Sequence, residues 1–454
     1  MRAKEEAFRI LETALSVAST GVDDAEVCLG GGDLGVTSFA SNQLPPALEQ
    51  SHEALSIRVS SRSRMCRTET SDLSTHGIQA AAQAARALVE HLPEPASSVG
   101  LPPPQAYWPV DSYDADVEAM SGLDRMAAVG RAVILAHKQN LLASGYFATR
   151  RGSIGFDNRA GTYAVANTRG LLAYHASTAA TFSVTMVGST NASGWAEDES
   201  FAVSALDIEE LARTASRKAI AGGAAEPSSI EAGRYSVILE PAALADLLKY
   251  LALTCGAEEM EAERSFLSGT RGQTIAGTNV TIFDDHTHPL HRGRPFDIEG
   301  VAKKKVVLIR KGIADGPVYS FASATKAGVE PTGHRVLDPA LGEREAAQNL
   351  VLEGGTATLS DLVGSTKSGL LVTRFSDTRL LEPRSLLVTG VTRDGLFLIE
   401  NGEIVCPLRN MRFNVSIIDV LNSVEAMTAP VWSGGLVVPA AKVHSFRFST
   451  GTRL

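Results

Sequence analysis

The sequence predicts an α+β protein, with helices and strands mixed in its N-terminal half and mainly strands after a central helix. Three observations lead to this prediction. Amphipathic helical stretches alternate with strand-like segments up to about residue 221, a Gly- and Pro-rich segment covers 222–229, and hairpin signals dominate beyond residue 385. Because 454 residues are too many for one ordinary core, we expect an N-terminal α+β domain at 1–226 and a β-rich domain at 227–454.

Amphipathic helices begin the N-terminal half. Residues 4–19 place Ala7, Leu11 and Ala14 on one face, as in a helix that covers a core. Further helices are predicted at residues 71–91, capped by Ser71 or Asp72, at 114–139 and at 207–221. Strands are predicted at 25–29, 36–39 and 55–59 and, as an antiparallel series, over 146–194.

A glycine-rich segment, residues 30–35, lies between two of these strands. It lacks the Lys-Ser/Thr pair of a phosphate-binding P-loop, and a strand rather than a helix follows it. We therefore predict a hairpin turn here.

The central helix follows a short apolar strand at residues 235–239. Pro241 suits a first helical position, and Leu244, Leu247, Leu248, Leu251 and Cys255 form one apolar stripe at helical spacing. The acidic residues that continue the helix, Glu258, Glu259, Glu261 and Glu263, are expected on a solvated face. A zinc-peptidase helix would need His residues one turn apart with a Glu beside them. This helix offers Lys249, Tyr250 and Thr254 instead, so it is predicted to be architectural.

The chain after the central helix is predicted to be mostly β. Residues 306–309 form a strand, and residues 386–391, 396–400 and 403–406 form successive hairpins. Their turns are predicted at 393–395 and at Asn401-Gly402, because Asp-Gly and Asn-Gly are strong hairpin signals. Residues 436–448 form the final strand.

Composition limits the possible partners and the compartment. The net charge of −9 argues against non-specific nucleic-acid binding, and the basic runs at 62–67 and 303–305 are predicted to be solvated edges. The four cysteines have no CxxC spacing and suggest buried or incidental thiols in a reducing compartment. No apolar run reaches a membrane-spanning length. We expect a cytoplasmic protein that binds neither nucleic acid nor membrane.

One short segment concentrates potential metal ligands: Asp284, Asp285, His286, His288 and His291. On a strand, His286 and His288 would face the same side, and Pro289 could turn His291 back toward them. A solvent-exposed polar loop is the alternative. His334, in a Pro-Thr-Gly-His turn, is predicted to be a surface or capping residue. No G-x-S-x-G nucleophile elbow is present in the sequence.

Taken in order, several stretches resemble the TldD/PmbA family, also called modulator-of-gyrase proteins, and more closely its PmbA (TldE) branch. In the N-terminal half they are LSIRVSSRSRMCRTETSDLS and ANTRGLLAYHASTAATFSVTM. In the C-terminal half they are GRYSVILEPAALADLL, RSFLSGTRGQTI, RPFDIEGVAKKKVVLIRKGI, PTGH and LFLIENGEIVCP. Their order and spacing, rather than any single motif, carry the resemblance.

The resemblance implies a barrel-like C-terminal domain, a dimer built around the C-terminal parts, and a role in a cytoplasmic peptidase of unfolded or leader peptides. In the TldD branch the central helix carries HExxxH, and a Cys near the C-terminus completes a zinc site. Here Lys249, Tyr250 and Thr254 occupy the HExxxH positions, and the last cysteine, Cys406, matches no ligand position. The resemblance therefore implies no catalytic residue and no zinc on this chain, with zinc on a partner subunit if one exists.

Three functional hypotheses remain open from the sequence. The first is a PmbA/TldE-like subunit, without its own catalytic zinc, that pairs with a TldD-like HExxxH-bearing subunit. The second is a self-associating, homodimeric peptide-binding protein outside proteolysis. The third is an independent metal-dependent hydrolase that uses His286, His288 and His291.

Overall fold

The computed structural model of the chain describes residues 2–93, 100–152, 162–189, 192–338 and 342–451. It is a mixed α+β structure whose C-terminal region contains a closed five-stranded β-barrel. The predicted fold class is therefore confirmed. Within the described ranges, no helix is both long and apolar enough to cross a membrane.

The N-terminal half combines helices with an antiparallel sheet. Its helices are α1 Lys4–Ala18, α2 Thr75–Val89, α3 Ala115–Ala119, α4 Gly122–Lys138 and α5 Ile208–Gly223. Its strands are β1 Asp24–Phe39, β2 Leu48–Ser61, β3 Arg64–Thr70, β4 Leu142–Gly152, β5 Thr162–Asn167, β6 Leu172–His175, β7 Thr178–Val187 and β8 Ser193–Ser200.

The long strand β1 organises this sheet. The strand order is β3-β2-β1-β4-β7-β8, and β5 also pairs with β1 while β6 pairs with β5. Along one edge, β1 pairs first with β5 and then with β4. Helices α1 and α2 form one apolar core with β1, β2 and β5, whereas α4 and α5 form another with β4 and β7.

The predicted glycine-rich turn is wrong, because residues 30–35 lie inside β1. The glycines allow close approach of side chains to the backbone. A Cβ atom at Gly35 would collide with the guanidinium of Arg125, which is fully buried, pairs with Glu49 and donates to Thr149 Oγ1 at 2.9 Å. Because Gly35 has no side chain, the buried guanidinium of Arg125 can lie against the backbone of β1.

Two helix predictions also need correction. The cap of α2 is Ser74, not Ser71 or Asp72, and its hydroxyl accepts a hydrogen bond from the Gly77 amide at 3.1 Å. The helix predicted at 114–139 is divided into α3 and α4, because Ser121 and Asp124 form a capping box that starts α4.

The C-terminal half contains mostly strands. Its helices are α6 Pro241–Thr254, α7 Ala257–Glu261, α8 Phe321–Ala327, α9 Leu359–Gly364 and α10 Ile417–Asn422. Its first strands are β9 Gly233–Leu239, β10 Ile282–Asp284, β11 Val306–Arg310, β12 Ile313–Ala314, β13 Arg335–Asp338, β14 Gly342–Glu345, β15 Leu350–Leu352 and β16 Ser368–Glu382. They are followed by β17 Leu387–Glu400, β18 Glu403–Pro407, β19 Met411–Ser416, β20 Val424–Met427, β21 Val431–Ser433, β22 Leu436–Val438 and β23 Ala441–Gly451.

The barrel and the helix α6 share one core. Strands β16, β9, β23, β19 and β17 pair in that order, and β17 pairs back with β16 to close the barrel. Pro241 begins α6 directly after Glu240, as predicted. The predicted apolar stripe is confirmed, because all five of its side chains are completely buried in the core that the barrel strands form. They are Leu244, Leu247, Leu248, Leu251 and Cys255.

The predicted turn at 393–395 is wrong, because β17 runs through it as one strand. Asp394 has a φ of 54° and Gly395 a φ of 137°, and the pairing register with β16 shifts there, as at a β-bulge. The bulge directs the Asp394 carboxylate to Arg374 and to the Ser193 hydroxyl, 2.7 Å away.

The Asn401-Gly402 turn between β17 and β18 is confirmed. The single strand predicted at 436–448 is instead two strands, β22 and β23.

The two halves contact each other through apolar and polar side chains. Phe296 of the C-terminal half packs in an apolar cluster with Val165 and Leu171 of the N-terminal half. Lys218 of α5 pairs with Glu240, and the Arg374 guanidinium lies 4.6 Å from the centre of the Trp195 ring. Within the described ranges, strand pairing joins no strand before residue 226 to one after it. The domain boundary at residue 226 stays a prediction.

Candidate functional site

The central helix places Lys249, Tyr250 and Thr254 in three different surroundings. The Lys249 ammonium is 3.0 Å from the Asp246 carboxylate, and its side chain is partly exposed. The Tyr250 hydroxyl donates to the carbonyl oxygen of Thr378 in β16 at 2.6 Å. The Thr254 hydroxyl is buried and donates to the Tyr250 carbonyl oxygen at 2.9 Å. Tyr250 therefore ties the helix to β16, the Thr254 hydroxyl bonds within the helix itself, and Lys249 faces a cleft.

These three side chains do not fit a zinc ion. Structural and catalytic zinc sites use thiolate, imidazole and carboxylate ligands. A lysine ammonium has no acceptor lone pair, and the hydroxyls of Tyr250 and Thr254 are occupied by backbone carbonyl oxygens. The three side chains thus offer no ligand set for zinc on this helix.

The histidine-rich segment that follows β10 is exposed only in part, because Thr287, Pro289 and Leu290 are exposed whereas two of its imidazoles are not. His286 and His291 are buried, and only His288 is half-buried. Both ring nitrogens of His286 lack a hydrogen-bond partner among the described residues. The His291 ring stacks on Trp432 with ring centres 4.6 Å apart, while His288 Nδ1 accepts from the Leu290 amide at 3.3 Å.

The three imidazoles thus have separate environments. Among the residues that the structure describes, no three His, Cys, Asp or Glu side chains are placed to hold one metal ion.

His334 is completely buried, so its prediction as a surface residue is wrong. Its Nε2 atom lies 3.0 Å from Asp284 Oδ1, and its Nδ1 atom lies 2.9 Å from Thr332 Oγ1. The other Asp284 oxygen accepts from the Asn349 amide at 2.6 Å. Burial opposes ionisation of Asp284, but the His334 imidazole, the charge of Lys303 and the Asn349 amide lower its pKa to about 2. The carboxylate is therefore charged at neutral pH, and each of its oxygens has a hydrogen-bond partner.

A cleft of about 300 Å³ lies between α6 and the histidine-rich segment. We call it the α6 cleft. It is lined by Lys249, Ala252 and Leu253 of α6, by His291, Gly293, Arg294 and Lys303, and by residues 336–338, 346–349 and 434–436. The cleft thus combines one end of α6 with strand β13 and the turn between β21 and β22.

Two buried cations line the α6 cleft. The Lys303 ammonium donates to Gln348 Oε1 at 2.9 Å and to Asn349 Oδ1 at 3.1 Å. The Arg294 guanidinium stacks 4.2 Å from the centre of the Tyr163 ring, and its Nε atom donates to the Phe296 carbonyl at 2.8 Å. The prediction that residues 303–305 form a solvated edge is wrong for Lys303, which is buried, whereas Lys304 and Lys305 are about half exposed.

The surroundings of the cleft are electropositive. Burial lowers the pKa of Lys303 to about 8. Burial, together with the charges of Arg294 and Lys303, lowers the pKa of His175 to about 3, and burial with Lys303 lowers the pKa of His286 to about 4. Since both imidazoles are neutral at pH 7, the positive charge of this region comes from Arg294 and Lys303.

The protein also has a larger cavity, of about 610 Å³. Unlike the cations of the α6 cleft, the arginines that line it form ion pairs with carboxylates. Arg58, which lines it, pairs with Glu26 and with Glu299, and Arg335 pairs with Glu258 and Glu343. Arg67 pairs with Glu343 at 2.8 Å, so the basic run at 62–67 is not simply a solvated edge. The charges of this cavity are satisfied within the protein, which makes the α6 cleft the stronger candidate site.

The cysteines and the acidic residues singled out in the sequence are not among the residues that line the α6 cleft. All four cysteines are free thiols, and burial raises the pKa of Cys28 and Cys255 to about 12. Cys406 lies in β18, away from the residues that line the α6 cleft. The acidic residues after α6 form ion pairs: Glu258 with Arg335, Glu259 with Arg264, Glu261 with Lys326 and Glu263 with Arg384.

Sequence reasoning missed Arg294, Asn349 and His175 as members of this region. Asn349 contacts both Lys303 and Asp284, and a Cβ atom at Gly293 would collide with its amide. These residues come from distant parts of the chain and have no common motif. The one available signal was the short spacing of Arg294 and Lys303 after the histidine-rich segment.

Comparison with known proteins identifies the family. Residues 232–450 match the model of the PmbA/TldA metallopeptidase C-terminal domain, and residues 115–222 match that of the central domain. Metalloprotease PmbA of Escherichia coli O157:H7 is 24% identical over 459 residues, which cover 95% of each chain.

A metalloprotease of Methanothermobacter thermautotrophicus is 26% identical over 226 residues. That match covers 49% of this chain and 48% of the relative, so it spans about half the length of that protein.

A solved structure supports the same fold. TldE from Thermococcus kodakarensis superposes with a TM-score of 0.86 at 21% identity, over 97% of this chain and all of that one. The family models, the full-length PmbA relative and the shared fold agree. This chain therefore belongs to the TldD/PmbA metallopeptidase family, as a PmbA/TldE-like member.

Proposed function

We propose that this chain is the peptide-binding, non-catalytic subunit of a cytoplasmic TldD-type metallopeptidase that acts on unfolded or leader peptides. The catalytic zinc would be held by a TldD-like, HExxxH-bearing partner subunit. One observation carries the proposal. On α6, Lys249 pairs with Asp246, while Tyr250 and Thr254 bond backbone carbonyl oxygens, so these positions support the fold and offer no metal ligand or general base.

The α6 cleft supports the peptide-binding part of the proposal. Strand β13, which borders the cleft, pairs only with β14 among the described strands. An extended peptide can add to an open strand edge through main-chain hydrogen bonds, which accept many sequences. At the start of β13, the carbonyl oxygen of Arg335 already accepts a hydrogen bond from the Ile298 amide at 3.2 Å. A peptide would therefore pair with the rest of this strand, residues 336–338.

Co-purification tests the proposal. The tagged chain, isolated from its own cells, should bring down an HExxxH-bearing chain in equal amount. The mixed subunits should then cleave an unfolded peptide in a chelator-sensitive reaction, whereas this chain alone should not. Cleavage by this chain alone would contradict the proposal, and recovery of only a homodimer would favour a binding protein outside proteolysis.

A variant of this chain sharpens the test. Tyr250→Phe removes the hydroxyl at the position that corresponds to the family's Glu. Activity of the mixed subunits should survive this substitution, because Tyr250 anchors the helix to β16. A loss of activity with an unchanged fold would assign chemistry to Tyr250 and contradict the proposal.

A further inference from the structure

We propose that the α6 cleft is a carboxylate-binding site that takes the C-terminal carboxylate of a peptide. This inference rests on the proposed function only in that the ligand is a peptide. The site is built by Arg294 and Lys303, which approach the same cleft from one segment of the chain.

Neither cation forms a direct ion pair with a carboxylate in the part of the chain that the structure describes. No carboxylate of the described residues lies within ion-pair distance of Arg294 or Lys303, and the two bonds that Lys303 makes go to neutral amide oxygens. An ammonium has three donors, so one donor of Lys303 remains open. Arg294 Nη2 is buried and has no hydrogen-bond partner among the described residues. Buried cations without an anion are costly, and an anionic ligand would offset that cost.

The buried carboxylates near the cleft do not contact the two cations. Asp284 interacts with His334 through one oxygen and accepts from the Asn349 amide through the other. Burial lowers the pKa of Lys303, and the charges of Asp284 and Asp297 oppose that shift only in part. Direct contact with an anion is therefore left for a ligand from outside.

The lining favours an organic acid over an inorganic phosphate. Leu253, Val336 and Leu436 provide apolar surface that an organic acid with an apolar side chain can cover. A volume of about 300 Å³ is at the low end for ligand pockets. These properties fit the last one or two residues of a peptide whose C-terminal residue has an apolar side chain.

Calorimetric titration of the full chain with three small peptides tests the inference. The probes are N-acetyl-alanyl-leucine as the free acid, the same peptide as its C-terminal amide, and N-acetyl-alanyl-glutamic acid with an amidated C-terminus. We expect the free acid to bind about tenfold or more tightly than its amide, since hydrogen bonds to a charged group are strong. If instead the glutamate peptide binds best, the ligand is a side-chain carboxylate and the assignment to a peptide C-terminus is overturned. Equal binding of all three peptides overturns the site itself.

Two charge variants locate the binding. Lys303→Gln should reduce the preference for the free acid to less than about threefold. Lys304→Gln removes the same charge one residue away, from a side chain that is about half exposed and lies outside the cleft lining, and should retain the preference. Equal effects of the two substitutions would overturn the assignment to Lys303. If the Lys303→Gln variant does not fold, the comparison of the free-acid peptide with its amide on the unmodified chain still tests whether the cleft binds a carboxylate.

These measurements use the chain without a partner subunit. A failure to distinguish acid from amide would therefore end this inference and leave the co-purification result unaffected. Conversely, a chain that prefers the free acid but recruits no HExxxH-bearing partner would retain the carboxylate site and lose the proposed function.

Discussion

The Tyr250 hydroxyl and the carbonyl oxygen of Thr378, 2.6 Å apart, form a hydrogen bond that ties α6 to strand β16 of the barrel. Tyr250→Phe should lower the free energy of unfolding by about 0.5–1.5 kcal/mol, the usual net value of one hydrogen bond. Tyr250→Glu should cost more, because a carboxylate would face a carbonyl oxygen that cannot donate. Urea unfolding of both variants measures the difference. A Glu variant as stable as the Phe variant would show that the contact does not restrict this position.

Leu251 lies in the apolar stripe of α6 and is completely buried in the barrel core. Leu251→Ala should lower the free energy of unfolding by about 2–5 kcal/mol, because it removes apolar contacts and leaves a cavity. Leu381→Ala in β16 is a matched control, since that side chain is 54% exposed, and should change stability by less than about 0.5 kcal/mol. Equal losses for the two variants would contradict the central position of the helix.

His334 provides the buried partner of Asp284. His334→Leu should destabilise the chain by about 3–5 kcal/mol, because it leaves a buried carboxylate without that partner. His288→Leu, in the half-buried part of the histidine-rich segment, should have a much smaller effect. Thermal unfolding of the two variants at pH 7 compares them, and a stable His334→Leu protein would mean that the pair is dispensable.

His175 should make stability dependent on pH below neutrality. Its pKa of about 3 in the folded protein is lower than the unfolded value of about 6.5, because of burial and the nearby charges of Arg294 and Lys303. The unfolded state therefore binds the proton more readily. The contribution of His175 is complete above about pH 6.5 and falls by about 1.4 kcal/mol per pH unit as the pH drops toward 3.

His175→Gln retains a hydrogen-bonding group near Ser112, which lies 2.9 Å from the imidazole, but removes the titration. Between pH 6.5 and pH 4.5, the stability of the original chain should fall by about 2 kcal/mol more than that of the variant. Chemical unfolding at both pH values measures this difference. Parallel pH profiles for the two proteins would place the origin of any acid sensitivity elsewhere.

Local patterns predicted the parts of the fold that depend on neighbouring residues. The stripe of α6, Pro241 at its start and the Asn401-Gly402 turn follow from helical spacing, a fixed φ and a preferred turn type. The turns predicted at 30–35 and 393–395 are wrong for a related reason, because glycines have other uses than turns. Glycines also serve where a side chain approaches the backbone, as Arg125 does at Gly35, or where a strand bulges, as at Asp394.

The candidate site was less predictable because its contacts are non-local. His334 was predicted to be at the surface, yet its partner Asp284 is 50 residues away in the chain. Lys303 was assigned to a solvated edge, yet it bonds Asn349, 46 residues further on. Composition and short motifs contain no information on such pairs, so burial of these polar groups could be learned only from the fold.

Zinc content tests the central claim of a non-catalytic subunit most directly. The chain is produced alone in zinc-supplemented medium, purified without chelator and analysed for zinc by mass spectrometry. Because Lys249, Tyr250 and Thr254 offer no thiolate, imidazole or carboxylate, we expect far less than one zinc ion per chain. One tightly held zinc ion per chain would contradict the account, and its loss on substitution of His286, His288 and His291 by Ala would place the metal at the histidine-rich segment.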